Sequence, residues 1–215
     1  MESSLVGRIS LIGMSGCGKT VISSKLEREA AWRAFHCDDL ISSKLKPTLT
    51  QGLSETAALS AWMGQPYSKG FRQRQQIYLD TERSVVNESL AQISASDSAQ
   101  HPCVLDTTGS VIYLGDDIAQ QLRAATTVVY LKVAASEQDR MLEQYFRDPK
   151  PVVWADLYQP LSGEDPERAL RRCYSELCRW RAAQYERWAH VVIPVSIESL
   201  AEISANSFLE SVKGR

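Results

Sequence analysis

Cysteine is scarce in this 215-residue chain, and what there is does not pair. Cys17, Cys37, Cys103, Cys173 and Cys178 are odd in number and show no C-x-x-C spacing. That speaks against a disulfide-stapled scaffold and a zinc site, and for reduced thiols in a cytosol. Long apolar runs are missing as well. No stretch is long enough to span a bilayer, and Met1 to Gly7 is too short and polar for a secretion signal, so a cytoplasmic protein is the expectation. A net charge of −2 gives no electrostatic reason to expect nucleic acid or an anionic membrane as the main partner. Internal repeats and low-complexity tracts are also lacking, and Ser94 to Gln100 reads as a polar loop rather than a linker. With 44% hydrophobic and 23% charged residues, the composition is that of an ordinary enzyme that buries one core without staples.

What the chain does have is a complete G-x-x-x-x-G-K-[ST] segment, Gly13-Met14-Ser15-Gly16-Cys17-Gly18-Lys19-Thr20. Its context is the one the chemistry needs. Arg8 to Ile12 is a short apolar strand, and Val21, Ile22, Leu26 and Ala30 after the loop have the spacing of a helix with one buried face. Glycines 13, 16 and 18 let the backbone curl so that the N–H groups of Ser15, Gly16, Cys17 and Gly18 point at phosphate oxygens. The positive end of the helix stands behind them. Lys19 reaches the β- and γ-phosphates, and the Thr20 hydroxyl is the ligand for Mg²⁺. ATP with Mg²⁺ is the expected cofactor.

Strand and helix patterns alternate along the rest. Strands are expected at 33–37, 101–106, 126–133 and 190–195. Helices are expected at 40–45 (stopping near Pro47), 54–64, 71–95, 116–124, 136–147, 165–189 and 197–212. The fold expected is α/β: a three-layer sandwich, one domain over 1–215, with a five-stranded parallel sheet, helices on both faces and ligands at the strands' carboxyl ends. A phosphate loop does not separate a small-molecule kinase from a GTPase or a mechanical ATPase. The GTPase signature N-K-x-D is missing, and one compact domain leaves little room for motor accessories, which favours a small kinase. Asp38 and Asp106 at strand ends, and Arg72 and Arg181 in helical context, are the other candidate site residues.

In these residues the chain resembles the shikimate kinase family. Phe35-His36-Cys37-Asp38-Asp39-Leu40-Ile41 is similar to that family's F-D-x-D-x-x-I, Gly70-Phe71-Arg72 to its G-F-R, and Lys150-Pro151-Val152-Val153 to its lid segment R-P-L-L. Arg181-Ala182-Ala183-Gln184-Tyr185-Glu186 is similar to its R-x-P-L-Y-E. The resemblance implies a kinase that phosphorylates a hydroxyl of a small, carboxylate-bearing cyclic polyol. Shikimate is the leading acceptor, Arg72 and Arg181 form the carboxylate clamp, Gly109 lies on the substrate side, and a lid spans about 146–168. It also places Arg140 near the family's adenine-stacking arginine.

The departures lie on the acceptor side. His36 replaces the first aspartate, Thr107-Thr108-Gly109 replaces a glycine triad, Gln75 stands for a glutamate, Lys150 for the lid arginine (with Arg147 nearby), and the interval to Arg181 is lengthened. In this scheme Lys19, Arg147 and Lys150 stabilise the transferring phosphoryl group, and Asp38 binds the acceptor hydroxyl and takes its proton. Asp106 orients the metal's water shell. The plainer alternatives are capping aspartates for Asp38 and Asp106, and solvated helix faces for Arg72 and Arg181. A second class of function also stays open: a nucleotide-binding regulatory or partner-binding protein with a drifted acceptor site. The expected ligand is a small molecule, and the sequence leaves the oligomeric state open.

Overall fold

The computed structural model describes residues 7–46, 55–97, 100–148, 150–196, 200 and 202–214. Its elements run β1 (Arg8–Ile12), α1 (Lys19–Ala30), β2 (Arg33–His36), α2 (Cys37–Leu45), α3 (Glu55–Met63), α4 (Phe71–Ala95) and β3 (Cys103–Asp106). Then come α5 (Asp116–Ala125), β4 (Thr127–Val133), α6 (Gln138–Arg147), α7 (Pro166–Trp188), β5 (Val191–Val195) and α8 (Ala205–Lys213). The five strands form one sheet in the order β2-β3-β1-β4-β5, and every pairing is parallel.

Parallel strands need crossovers that lay helices on the sheet, and the strand sequences are built to be covered on both sides. In β3 all four residues are buried, and in β1 both Leu11 and Ile12, which point to opposite faces, are fully buried. Each fully buried Leu, Ile or Val contributes about 1.5–3 kcal/mol, so this central seam anchors the sheet. The α/β sandwich with a five-stranded parallel sheet is the fold expected from the sequence.

One boundary differs in a way that matters. The second strand stops at His36, and α2 begins at Cys37 with no intervening loop, so Asp38 and Asp39 lie in the first turn of a helix. Carboxylates are favoured there by the helix dipole, which offset the short strand-end turn expected from the sequence. The long α7 starts on a well-made cap: the Asp165 side chain accepts from Glu167 N and Arg168 N, both at 3.0 Å, and Pro166 takes the first helical position. That fixes the frame of the helix that carries Arg181. The expected stop at Pro47 and the first residue of the 54–64 helix lie outside the described residues, whereas the helix expected over 197–212 opens only at Ala205, where the Ser204 side chain accepts from Ser207 N at 3.1 Å and caps it. Among the described residues, no helix is long and apolar enough to cross a membrane.

Candidate active site

The phosphate loop leaves the carboxyl end of β1 and turns into α1. Gly13 has φ 145°, and a Cβ there would lie 2.9 Å from both Leu131 O and Cys17 Sγ, so the first turn of the loop accepts glycine alone. Cys17 is fully buried beneath the loop, and burial pushes its thiol up, so its contribution at this position is its main-chain N–H. Lys19 curls back over the loop and donates from Nζ to Gly13 O and Met14 O, both at 3.0 Å. Its ammonium is therefore held beside the place where loop amides converge.

Across the loop lies the turn after β3. A Cβ on Gly109 would lie 2.9 Å from Ser15 N, so a bare backbone is needed for the two segments to pass. Tyr185 OH donates to Gly109 O at 2.5 Å and locks the turn to α7.

Between these segments opens a cleft of about 400 Å³. Ser15, Gly16, Gly18, Lys19 and Thr20 form one side. Asp38, Asp39 and Tyr78 form another, and Thr108, Gly109, Ser110, Lys150 and Arg181 complete it. Asp38 lines this cleft and is exposed to solvent there. The protein packed around its carboxyl still raises it by desolvation, with Lys19 opposing and Asp106 adding to the rise. A second cavity of about 230 Å³ adjoins the loop on the far side, where Arg140, Met141 and Tyr145 of α6 face Tyr174 and Leu177 of α7. Met14, Ser15, Gly16, Lys150 and Arg181 line it too.

The two arginines expected as a clamp part company. Arg181 is 2% exposed, far from the solvated helix face that was its alternative reading. Its Nη2 donates to Val153 O at 2.6 Å, Nε lies 3.4 Å from Tyr113 OH, and the guanidinium sits 5.2 Å over the Tyr113 ring. Tyr113 in turn stacks on Trp180 with centroids 4.9 Å apart. Arg72 is exposed in the first turn of α4 and does not line the cleft, which matches its plainer reading. Arg147 is likewise exposed at the end of α6 and lines neither cavity, whereas Lys150 lines both.

Asp106 is 5% exposed, and its Oδ2 accepts from Ser23 Oγ at 3.2 Å and lies 3.2 Å from His36 Nδ1. The hydrogen bond with Asp106 raises the His36 pKa, against the opposing effect of burial. The segment expected as a lid is partly core: Val153 and Trp154 are buried, and Gln75 Oε1 accepts from Trp154 N at 2.8 Å and Ala155 N at 3.1 Å. That bond pair gives the half-buried Gln75 a role, because its amide oxygen holds two main-chain N–H groups.

One residue went unread in the sequence. Glu82 of α4 is fully buried, and burial raises its pKa to about 7 against the Thr108 and Ser110 hydroxyl bonds. The available signal was its place on the apolar stripe Tyr78, Glu82, Val85, Val86, Ser89, Leu90, where a carboxylate is out of keeping.

Comparison with solved structures decides the fold family. Shikimate kinase from Acinetobacter baumannii, solved in complex with shikimate, superposes with a TM-score of 0.58 at 24% identity, over 96% of this chain and 92% of that one. The chain has the shikimate kinase fold. The enzymes from Bacteroides thetaiotaomicron (TM-score 0.58, 16% identity, 97% and 98% covered) and Aquifex aeolicus (0.56, 16%, 96% and 96%) superpose as fully. Neither a protein-family model nor a curated protein sequence matches the chain. Within the shikimate kinase fold, the cleft described above lies at the carboxyl ends of β1, β2 and β3, where ligands gather in open parallel sheets.

Proposed function

We propose that the protein is a small-molecule kinase that moves the γ-phosphoryl group of ATP to a hydroxyl of a small carboxylate-bearing polyol, with shikimate as the leading candidate. One observation carries the reading: the phosphate loop with Lys19, the raised carboxyl of Asp38 and the buried guanidinium of Arg181 face one cleft. A nucleotide cradle and an acceptor pocket that share a wall are what in-line phosphoryl transfer requires.

In this reading the loop amides and Lys19 hold the β- and γ-phosphates and neutralise charge that spreads over the γ-oxygens in the transition state. The acceptor oxygen bonds to the γ-phosphorus as the bond to the β–γ bridging oxygen breaks, and the acceptor's hydroxyl proton passes to Asp38. A carboxyl raised above its ordinary range is the stronger base for that transfer. Arg181, always charged and held by Val153 O and Tyr113, directs its remaining donors at the acceptor carboxylate. Arg72 takes no part in the clamp in this arrangement. Lys150 spans the two cavities and is the cation set to cover the γ-phosphate. The base takes the mainly apolar cavity between α6 and α7, with Arg140 at its rim.

The donor set fits Mg²⁺, a hard cation that prefers oxygen and keeps several waters. The Thr20 hydroxyl faces the cleft and would ligate it directly. Asp106, buried and held by Ser23 and His36, would act on its water shell. When bound, the ion supplies charge neutralisation between the β- and γ-phosphates.

A coupled ADP-release assay with shikimate and a panel of hydroxy acids tests the reading, with Lys19→Ala as the control. Acceptor-dependent turnover that disappears in the variant supports it. Flat rates with every acceptor contradict it.

A further inference from the structure

Behind the acceptor side of the cleft lies a closed polar ring that the proposed chemistry leaves unused. Glu82 Oε1 is hydrogen-bonded to Thr108 Oγ1, and Glu82 Oε2 accepts from Ser110 Oγ at 2.7 Å. Thr108 Oγ1 and Ser110 Oγ are themselves 2.8 Å apart, and Ser110 N donates to Thr108 Oγ1 at 3.0 Å. All three side chains are at least 95% buried, yet Thr108 and Ser110 line the cleft beside Tyr78 and Asp38.

The protons of this ring can be counted. With Glu82 ionised, the two hydroxyl protons go to its two oxygens. With Glu82 protonated, its own proton goes to Thr108, that of Thr108 to Ser110 and that of Ser110 back to the second carboxyl oxygen, closing the ring. In both states every hydroxyl proton is consumed inside the ring. Thr108 Oγ1 also takes the Ser110 N–H, so the lone pair kept for the cleft in both states is on Ser110 Oγ, beside the Tyr78 hydroxyl and the carboxylate of Asp38.

We infer that Glu82 is a specificity-determining positioning residue: by drawing in the hydroxyl protons of Thr108 and Ser110 it makes that wall a hydrogen-bond acceptor, which selects acceptor molecules presenting hydroxyl donors to it. The inference deepens the acceptor reading above and rests on it. It divides the substrate's recognition in two, with a carboxylate end for Arg181 and a hydroxylated edge for the wall. A site whose fixed polar groups await a partner discriminates strongly against an analogue that lacks it, since the unpaired oxygens stay desolvated.

The test is equilibrium binding by calorimetry, without turnover, in the presence of Mg·ADP. Two matched pairs serve as probes: shikimate against cyclohex-1-ene-1-carboxylate, and quinate against cyclohexanecarboxylate. In each pair the carboxylate is kept and the hydroxyls are removed. The wild-type protein is expected to favour the hydroxylated member of at least one pair by tenfold or more. Glu82→Met, which cannot take up the protons, brings that ratio below threefold. Glu82→Gln closes the same ring through its amide and keeps the ratio within twofold of wild type, a rescue that loss of packing would not give. Should the methionine variant fold poorly, Ser110→Ala opens the ring from the other side and carries the same expectation.

A wild-type ratio near one for both pairs overturns the inference, as does a methionine variant that keeps the ratio or a glutamine variant that loses it. Because the readout is binding, hydroxyl-selective association with no ADP release leaves the inference standing while sinking the kinase reading.

Discussion

His36 and Asp106 are register partners at the carboxyl ends of β2 and β3, and the imidazole Nδ1 lies 3.2 Å from the Asp106 Oδ2. Where the shikimate kinase motif carries a carboxylate, this chain therefore carries a base paired to the neighbouring strand's carboxylate. Ser23 Oγ bonds the same Asp106 oxygen at 3.2 Å, so α1, β2 and β3 are tied at one point.

Placing an aspartate at position 36, as in the motif this segment resembles, should break that tie. His36→Asp sets two carboxylates side by side on adjacent strands, one of them buried, and is expected to lower the unfolding free energy by about 1–3 kcal/mol at neutral pH. Urea denaturation measures it, and stability equal to wild type would show that the pair is not an interacting one.

Gly109→Ala tests the contact between the turn after β3 and the phosphate loop. The added methyl has 2.9 Å to Ser15 N, a main-chain atom that cannot swing aside. The loop must shift, and Mg·ATP affinity is expected to fall at least tenfold, about 1.4 kcal/mol, with the fold retained. Unchanged affinity by calorimetric titration would rule out a loop whose geometry depends on this turn.

Most of the architecture was legible before any coordinates, because strand and helix periods alternate cleanly and the loop motif marks where β1 ends. Positions fixed by the main chain, Gly13 to Thr20 between β1 and the start of α1 and Asp106 at the end of β3, lie where the strand and helix pattern sets them. Positions that depend on where a long side chain points did not all follow. Arg72 and Arg181 looked alike as isolated arginines in helical sequence, but one faces solvent and the other packs under Tyr113 and Val153. Glu82 escaped notice because its partners, Thr108 and Ser110, are 26 and 28 residues away and meet it only through the packing of α4 on the turn after β3.

Gln75→Leu should loosen the segment that leads to Arg181's anchor. It strands the N–H groups of Trp154 and Ala155, which Gln75 Oε1 now accepts. A cost of about 1–3 kcal/mol is expected, with faster amide exchange at those two residues. Exchange as slow as in wild type would show that the bond pair does not hold the segment.

Stability should also fall as pH rises. Glu82 is raised from 4.5 to about 7 in the folded protein, so between those values the folded state holds a proton that the unfolded chain releases. The penalty is zero below about pH 4.5 and grows to about 3 kcal/mol above pH 7. Glu82→Gln removes the titration. Its stability relative to wild type should therefore improve between pH 5 and pH 8, and a constant difference across that range would contradict a buried, raised Glu82.

The central claim is that the main-chain coil from Gly13 to Thr20, with the Lys19 ammonium over it, grips a polyphosphate. Calorimetric titration of Mg·ATP into wild type and Lys19→Ala tests it most directly, with circular dichroism verifying that both are folded. Saturable binding in the wild type, weakened at least tenfold or abolished in the variant, is the predicted result. No heat of binding in folded wild-type protein, or equal affinity in the two, would contradict the account.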